Sequence, residues 1–386
     1  MNRMTAPRPT AERDAVVVTG MSVTTAFGRG TDALREALAA GKPAFGEVTR
    51  FDVSRRRAKR AAHLPGAPVL VDELTDLLAQ AAGQAGLDAG AVGGTPLLFA
   101  RHSDPSWPRE PQERQADCHA AATGSTLAAR AGLRDARRTY TNACVAASTA
   151  LADAAALIAS GREERVAVAA GYLVDEDVFS LFDAGRALAD DGALRSFSAG
   201  RRGLLLGDGM GAVILESASA AERRGALPLA GLLGWGRAGD AYHVCQPHPE
   251  GLGMARALSA AMARADRAPE EVDYLNAHGT GTSYNDSAEA AAIHRAFGAY
   301  APELPVSSTK SLTGHTLEAS GIVEFAVSVL VLQEGLLPVN AGYTGQDPAC
   351  RLNLVTDAPR SLKARTVVSL NAAFGGANTA LVLGAV

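Results

Sequence analysis

Short apolar runs rich in β-branched residues alternate along this chain with longer Ala- and Leu-rich stretches of helical spacing. Residues 15–20 (AVVVTG) read as a first strand and 32–40 as a helix after a loop. A helix is expected over 71–86 and a buried strand over 95–100 (TPLLFA). Residues 101–117 carry three Pro and little periodicity, so they read as a surface excursion. A strand over 138–142 then runs into 146–160, which lacks Pro and Gly and predicts a buried helix closed by Gly161. A strand at 165–170, an acidic loop and helix at 175–191, a polar loop at 195–203 and a strand at 212–216 (AVILE) follow.

The second half replays this order. Residues 229–234 are apolar and short, 253–265 helical, 272–277 (VDYLNA) a strand and 321–334 a long apolar helix. Strands are expected at 366–370 and 379–383, the last matching 212–215 in place and character. Such a repeat predicts an α/β fold of parallel sheets covered on both faces, with loops meeting at one sheet end. The polar stretch 217–228 marks its midpoint. Residues 1–14, polar with three Arg and two Pro, are expected to be a flexible tail ahead of two halves, 15–225 and 226–386, packed as one compact unit.

Composition narrows the function classes. Of 386 residues 47% are hydrophobic, enough for a continuous core, and the net charge of −4 gives no global reason to bind nucleic acid. No apolar leader stands in 1–14, and 322–332, interrupted by Glu324, is short of the roughly 20 residues that span a bilayer, so a cytoplasmic protein without a membrane segment is expected. The four Cys are scattered without CxxC spacing, which speaks against zinc or disulfide frameworks and suits a reducing compartment. Arg55, Arg56, Arg57, Lys59 and Arg60 form the strongest basic cluster, either a solvated loop or a site for an anionic partner. Gly207 to Gly211 (GDGMG) precede a strand, whereas a dinucleotide fingerprint follows one and opens a helix.

Cys144 falls at the expected start of the 146–160 helix, where free N–H groups and the helix dipole favour thiolate. A small core residue is the competing reading. Three further polar stretches lie between apolar elements: NAHGTGT with His278, KSLTGH with Lys310 and His315, and NAAFGGAN with Phe374. Singly each histidine suits a structural role; together with Cys144 they form a possible Cys-His-His set, with a metal site as a weaker alternative.

TNACVAAS, NAHGTGTSYND, STKSLTGHTLEASGIVE and NAAFGGANTALVL, in this order and spacing, resemble the signature segments of the β-ketoacyl-acyl-carrier-protein synthases, members of the thiolase-fold superfamily. The resemblance runs from about Ala15 to Leu383 and implies a thiolase-like fold, two similar βαβαβαββ halves in α/β/α/β/α layers. It implies that Cys144 takes an acyl group from a phosphopantetheine thioester of an acyl carrier protein, with no bound cofactor. The N–H groups of Cys144 and Phe374 then correspond to an oxyanion hole, Phe374 also to a gate, and His278 and His315 to donors for the enolate of a decarboxylated malonyl thioester. Lys310 and Glu324 match a buried ion pair, Thr280 and Thr282 the pantetheine-binding hydroxyls. Arg201 and the Arg55, Arg56, Arg57, Lys59 and Arg60 cluster are candidates for docking the carrier. A dimer is implied, a homodimer first and a heterodimer with a ketosynthase-like subunit second.

The chain departs from the family pattern in a short 101–124 region, Ala372 in place of an aromatic, Glu318 in place of a small residue near His315, and Val145 and Ala147 after the nucleophile. A carboxylate at Glu318 is expected to raise the basicity of a neighbouring imidazole or to contact a polar substrate. The alternatives are an acyltransferase forming an ester or amide without decarboxylation, and a non-catalytic chain-length partner, against which the intact Cys144, His278 and His315 speak.

Overall fold

The computed structural model describes residues 14–104, 112 and 119–386. The tail expected over 1–13 and most of the 101–117 excursion lie outside these residues. Two five-stranded arrangements repeat. In the first, the spatial order is Arg134–Tyr140, Pro96–Ala100, Arg165–Tyr172, Gly209–Ser217, Val16–Thr25. In the second it is Pro305–Ser307, Tyr274–Asn276, Thr366–Ala372, Ala377–Gly384, Ala230–Gly239, with Asn353–Leu354 added outside. Numbered by chain order within each half, both read 3-2-4-5-1. The first strands of the two halves pair where Val17 and Val18 meet Gly231 and Ala230, which joins them into one sheet.

The expectation of parallel sheets is corrected: each half is mixed. Thr366–Ala372 and Ala377–Gly384 are separated by residues 373–376, too short a connection for the crossover that parallel strands need, so they pair antiparallel. Gly209–Ser217 is antiparallel to both Val16–Thr25 and Arg165–Tyr172.

Helices fill three layers. Leu70–Gln84 and Ala120–Arg130 cover one outer face, while Leu252–Ala265, backed by Ser283–Phe297, covers the other. Between the half-sheets lie Ala146–Ala159 and Ser320–Glu334, buried nearly all round, in keeping with their largely apolar composition. Predicted and observed boundaries differ most where glycines mediate contact. The strand expected at 212 begins at Gly209, because Gly209 and Gly211 let it lie against Thr316 and Ile322 at the head of the central helix. The 229–234 run extends to Gly239, and Ser283–Phe297, for which no element was expected, is a helix. Among the described residues no helix is long and apolar enough to cross a membrane.

The two central helices touch near their N-termini, where Gly321 rests on the Ser148 backbone, and a Cβ at Gly321 would run into the Ser148 nitrogen. Gly321→Ala is therefore expected to lower stability by about 1–3 kcal/mol through overpacking. Gly83→Ala, inside Leu70–Gln84 with open space around it, should be neutral or stabilising by up to about 1 kcal/mol. Urea unfolding midpoints of the two variants check both signs.

Candidate active site

Strand Arg134–Tyr140 delivers the chain to a sharp turn, where Ala143 takes a left-handed φ of 51° and Cys144 sits in a 3₁₀ turn, Ala143–Val145. Cys144 thus precedes the first α-helical turn and is buried. The thiolate expected from the sequence is corrected by this environment. Burial, and next the charge of Glu318, push the thiol up to about 12, with the Lys310 ammonium pulling the other way.

His278 follows strand Tyr274–Asn276. Its loop is clamped by Glu289, which accepts the His278 N–H at 2.6 Å and the Gly279 N–H at 2.8 Å. Burial lifts the Glu289 carboxyl to about 8, while those N–H groups hold it down. Neither clamp nor helix was expected, although a lone acid between the buried Ala288 and Ala290 is the signal that would have found it.

Lys310 opens a short helix, Lys310–Thr313, where a loop was expected. Its ammonium pairs with Glu324, both side chains being almost fully buried. The other Glu324 oxygen accepts from Asn371 Nδ2 at 2.6 Å, which ties strand Thr366–Ala372 to the same pair. Burial raises the Glu324 carboxyl despite these partners.

His315 is held at both ring nitrogens and at its backbone. Its Nε2 lies 3.1 Å from Cys144 Sγ and its Nδ1 2.9 Å from Ser320 Oγ. Its N–H donates to Leu205 O at 2.7 Å, and its carbonyl accepts from Gly207 N–H at 3.0 Å. The His278 ring stands edge-on to it, centroids 5.4 Å apart at 84°. Burial first, then the Lys310 charge, depresses both imidazoles well below the usual range, so both are neutral at physiological pH.

These groups open into a cleft of about 360 Å³, lined by Cys144, His278, His315, Thr280, Thr282 and Phe374. Thr280 and Thr282 share a hydroxyl–hydroxyl hydrogen bond of 2.8 Å. Phe374 is 51% exposed and stacks on Phe182 with centroids 6.0 Å apart. Among the described residues no group of three His, Cys, Asp or Glu side chains is disposed to hold a metal ion.

Two expectations about charge change. Arg201 is not a surface cation: its side chain is 7% exposed, paired with Asp347, 3.8 Å from Asp286, and donates to the Thr282 carbonyl at 3.2 Å. It braces the threonine loop from behind. In the basic cluster Arg57 pairs with Asp190 at 2.9 Å, Lys59 donates to the Ser54 carbonyl at 2.8 Å and Arg60 to Phe45 O at 2.6 Å, while Arg55 is exposed and Arg56 partly so. The neighbour of Glu318 is His102, which the sequence did not single out: Nδ1 lies 2.9 Å from Oε2. Burial works against the imidazolium, but the hydrogen bond and charge of Glu318 outweigh it and raise His102 above its ordinary value.

Residues 83–221 match the family model for the beta-ketoacyl synthase N-terminal domain and 229–344 that for the C-terminal domain. The chain is 33% identical over 410 residues to 3-oxoacyl-[acyl-carrier-protein] synthase 2 of Coxiella burnetii, covering 96% of this chain and 99% of that protein. It is 32% identical to the tetracenomycin polyketide synthase ketoacyl synthase alpha subunit of Streptomyces glaucescens, covering 95% and 96%. Among solved structures, a beta-ketoacyl synthase from Burkholderia phymatum aligns at TM-score 0.89 and 28% identity over 97% of this chain and all of that one. The ishigamide ketosynthase/chain length factor aligns at 0.88 and 28%, with the same coverage. Full-length similarity in sequence and in the thiolase-like layering agree: the chain belongs to the β-ketoacyl synthase family.

Proposed function

We propose that this protein is a β-ketoacyl-acyl-carrier-protein synthase acting in fatty-acid or polyketide-type biosynthesis, with Cys144 as nucleophile. The observation that carries this reading is the contact of 3.1 Å between Cys144 Sγ and His315 Nε2, with His278 beside them in an open cleft. In acylation the sulfur bonds to the thioester carbonyl, the carbon–sulfur bond to pantetheine breaks, and the proton lost from Cys144 ends on the departing thiol. The backbone N–H groups of Cys144 and Phe374 receive the oxyanion, and Phe374 moves as the chain enters.

In condensation the malonyl carboxylate leaves as carbon dioxide and its bonding pair passes to the thioester enolate. Two neutral imidazoles, each donating one hydrogen bond, stabilise that oxygen without protonating the carbon. The carbon then attacks the acyl carbonyl, expelling Cys144 sulfur. Lys310 and Glu324 hold the His315 and Asn371 segments together and touch no substrate, while Thr280 and Thr282 bind the pantetheine amides. Arg55 and Arg56 are the cations of the basic cluster best placed to meet an acidic carrier protein, and the protein acts as a homodimer. The halves meet at residues 225 and 226.

Intact-mass measurement after incubation with an acyl-carrier thioester should show acyl transfer that Cys144→Ala abolishes. His278→Ala and His315→Ala should each cut carbon dioxide release from malonyl-carrier protein by roughly 10²–10³-fold, the loss typical of one oxyanion donor. Acyl transfer without any carbon dioxide release would sink the condensing role.

A thiol raised to about 12 also sets the pH dependence. The thiolate fraction grows tenfold per pH unit below that value, so iodoacetamide alkylation of Cys144 should climb without a plateau between pH 6 and about 9. Because the Glu318 charge is one cause of the rise, Glu318→Gln should speed alkylation at any fixed pH in that window.

A further inference from the structure

The two cleft histidines differ at the nitrogen that faces away from the cleft. His278 Nδ1 is buried and has no hydrogen-bond partner among the described residues. His315 Nδ1 meets the Ser320 hydroxyl at 2.9 Å, and that hydroxyl in turn lies 3.3 Å from Thr316 Oγ1. Ser320 is 1% exposed and begins helix Ser320–Glu334, yet its side chain does not cap that helix; the N-cap is Ala319, which has no side-chain capping bond. The hydroxyl is therefore spent on the imidazole, and a helix start alone does not explain it.

We propose that Ser320 is a positioning residue that fixes the tautomer of His315. A neutral imidazole carries one donor and one acceptor, and which nitrogen bears the proton is set by the partner of the other. With the Ser320 O–H donating to Nδ1, the proton sits on Nε2, the atom 3.1 Å from Cys144 Sγ. With the Ser320 proton so used, the Thr316 hydroxyl 3.3 Å away is left to donate to Ser320 Oγ and align it. His315 thus presents an N–H to the sulfur and to the oxygen of a bound thioester in every turnover. The inference rests on the donor role proposed for His315, but its primary readout does not.

The test is ¹⁵N-histidine NMR of the full-length protein, with the His315 signals assigned by their loss in His315→Ala. In the unsubstituted protein His315 should show the Nε2–H tautomer. In Ser320→Ala its two nitrogen shifts should move toward each other as the Nδ1–H form gains population, with Thr316→Ala giving a smaller movement in the same direction. The kcat for carbon dioxide release should fall on the order of tenfold in Ser320→Ala, the loss of one neutral hydrogen bond, with KM little changed. A His315 that carries its proton on Nδ1 in the unsubstituted protein, or shifts identical with and without the Ser320 hydroxyl, overturns the proposal. Either result leaves the condensing activity standing, whereas failure of Cys144 acylation or of carbon dioxide release removes that activity and leaves the tautomer measurement intact.

Discussion

The close contact of Gly321 with the Ser148 backbone is the constraint from which the site follows. Ser148 is four residues past Cys144, and Gly321 is six past His315. Two helices that meet at their heads without an intervening side chain bring both preceding turns to one point. The sulfur and imidazole are 3.1 Å apart because each is rigidly attached to its own helix, and neither helix can withdraw from between the half-sheets. A site built in this way owes little to loop flexibility and much to the absence of one Cβ.

Buried charge does the remaining positioning. The Lys310–Glu324 pair, extended by Asn371, links a short helix, a central helix and a strand that are far apart in sequence. Removing one partner would strand the other charge in the core, so the segments are held to one arrangement. The Lys310 charge also helps keep both imidazoles neutral, while burial and Glu318 keep the Cys144 thiol protonated. The site is thus uncharged at Cys144, His278 and His315. The Cys144 sulfur ionises only against the cost of its burial and of the Glu318 charge.

Several of the cations weighed for docking are committed within the protein. Arg201 braces the Thr282 loop, and Arg57 pairs with Asp190 as Arg202 does. A run of arginines in a sequence says that cations are present; the aspartates that neutralise them come from distant elements such as Asp190 and Asp347. The Glu318 carboxylate illustrates the same limit. Its nearest imidazole is not His315, three residues away, but His102, which arrives from the end of another strand.

What the sequence determined by itself was the alternation of elements, the repeat of one half in the other and the polar stretches that carry Cys144, His278, Lys310 and His315. Apolar periodicity is a local property, and a thiol, two imidazoles and a buried ion pair are recognisable wherever they occur. The pairing sense of Thr366–Ala372 and Ala377–Gly384 was readable in principle, since four residues cannot form a crossover. Only the tertiary structure decided the protonation of Cys144, the clamp of Glu289 on the His278 loop, the Ser320 contact to His315 and the burial of Arg201. Each of these depends on groups from separate elements meeting in a space from which water is excluded, and the strength of a charge or a hydrogen bond there is set by its surroundings, which no single stretch of chain contains.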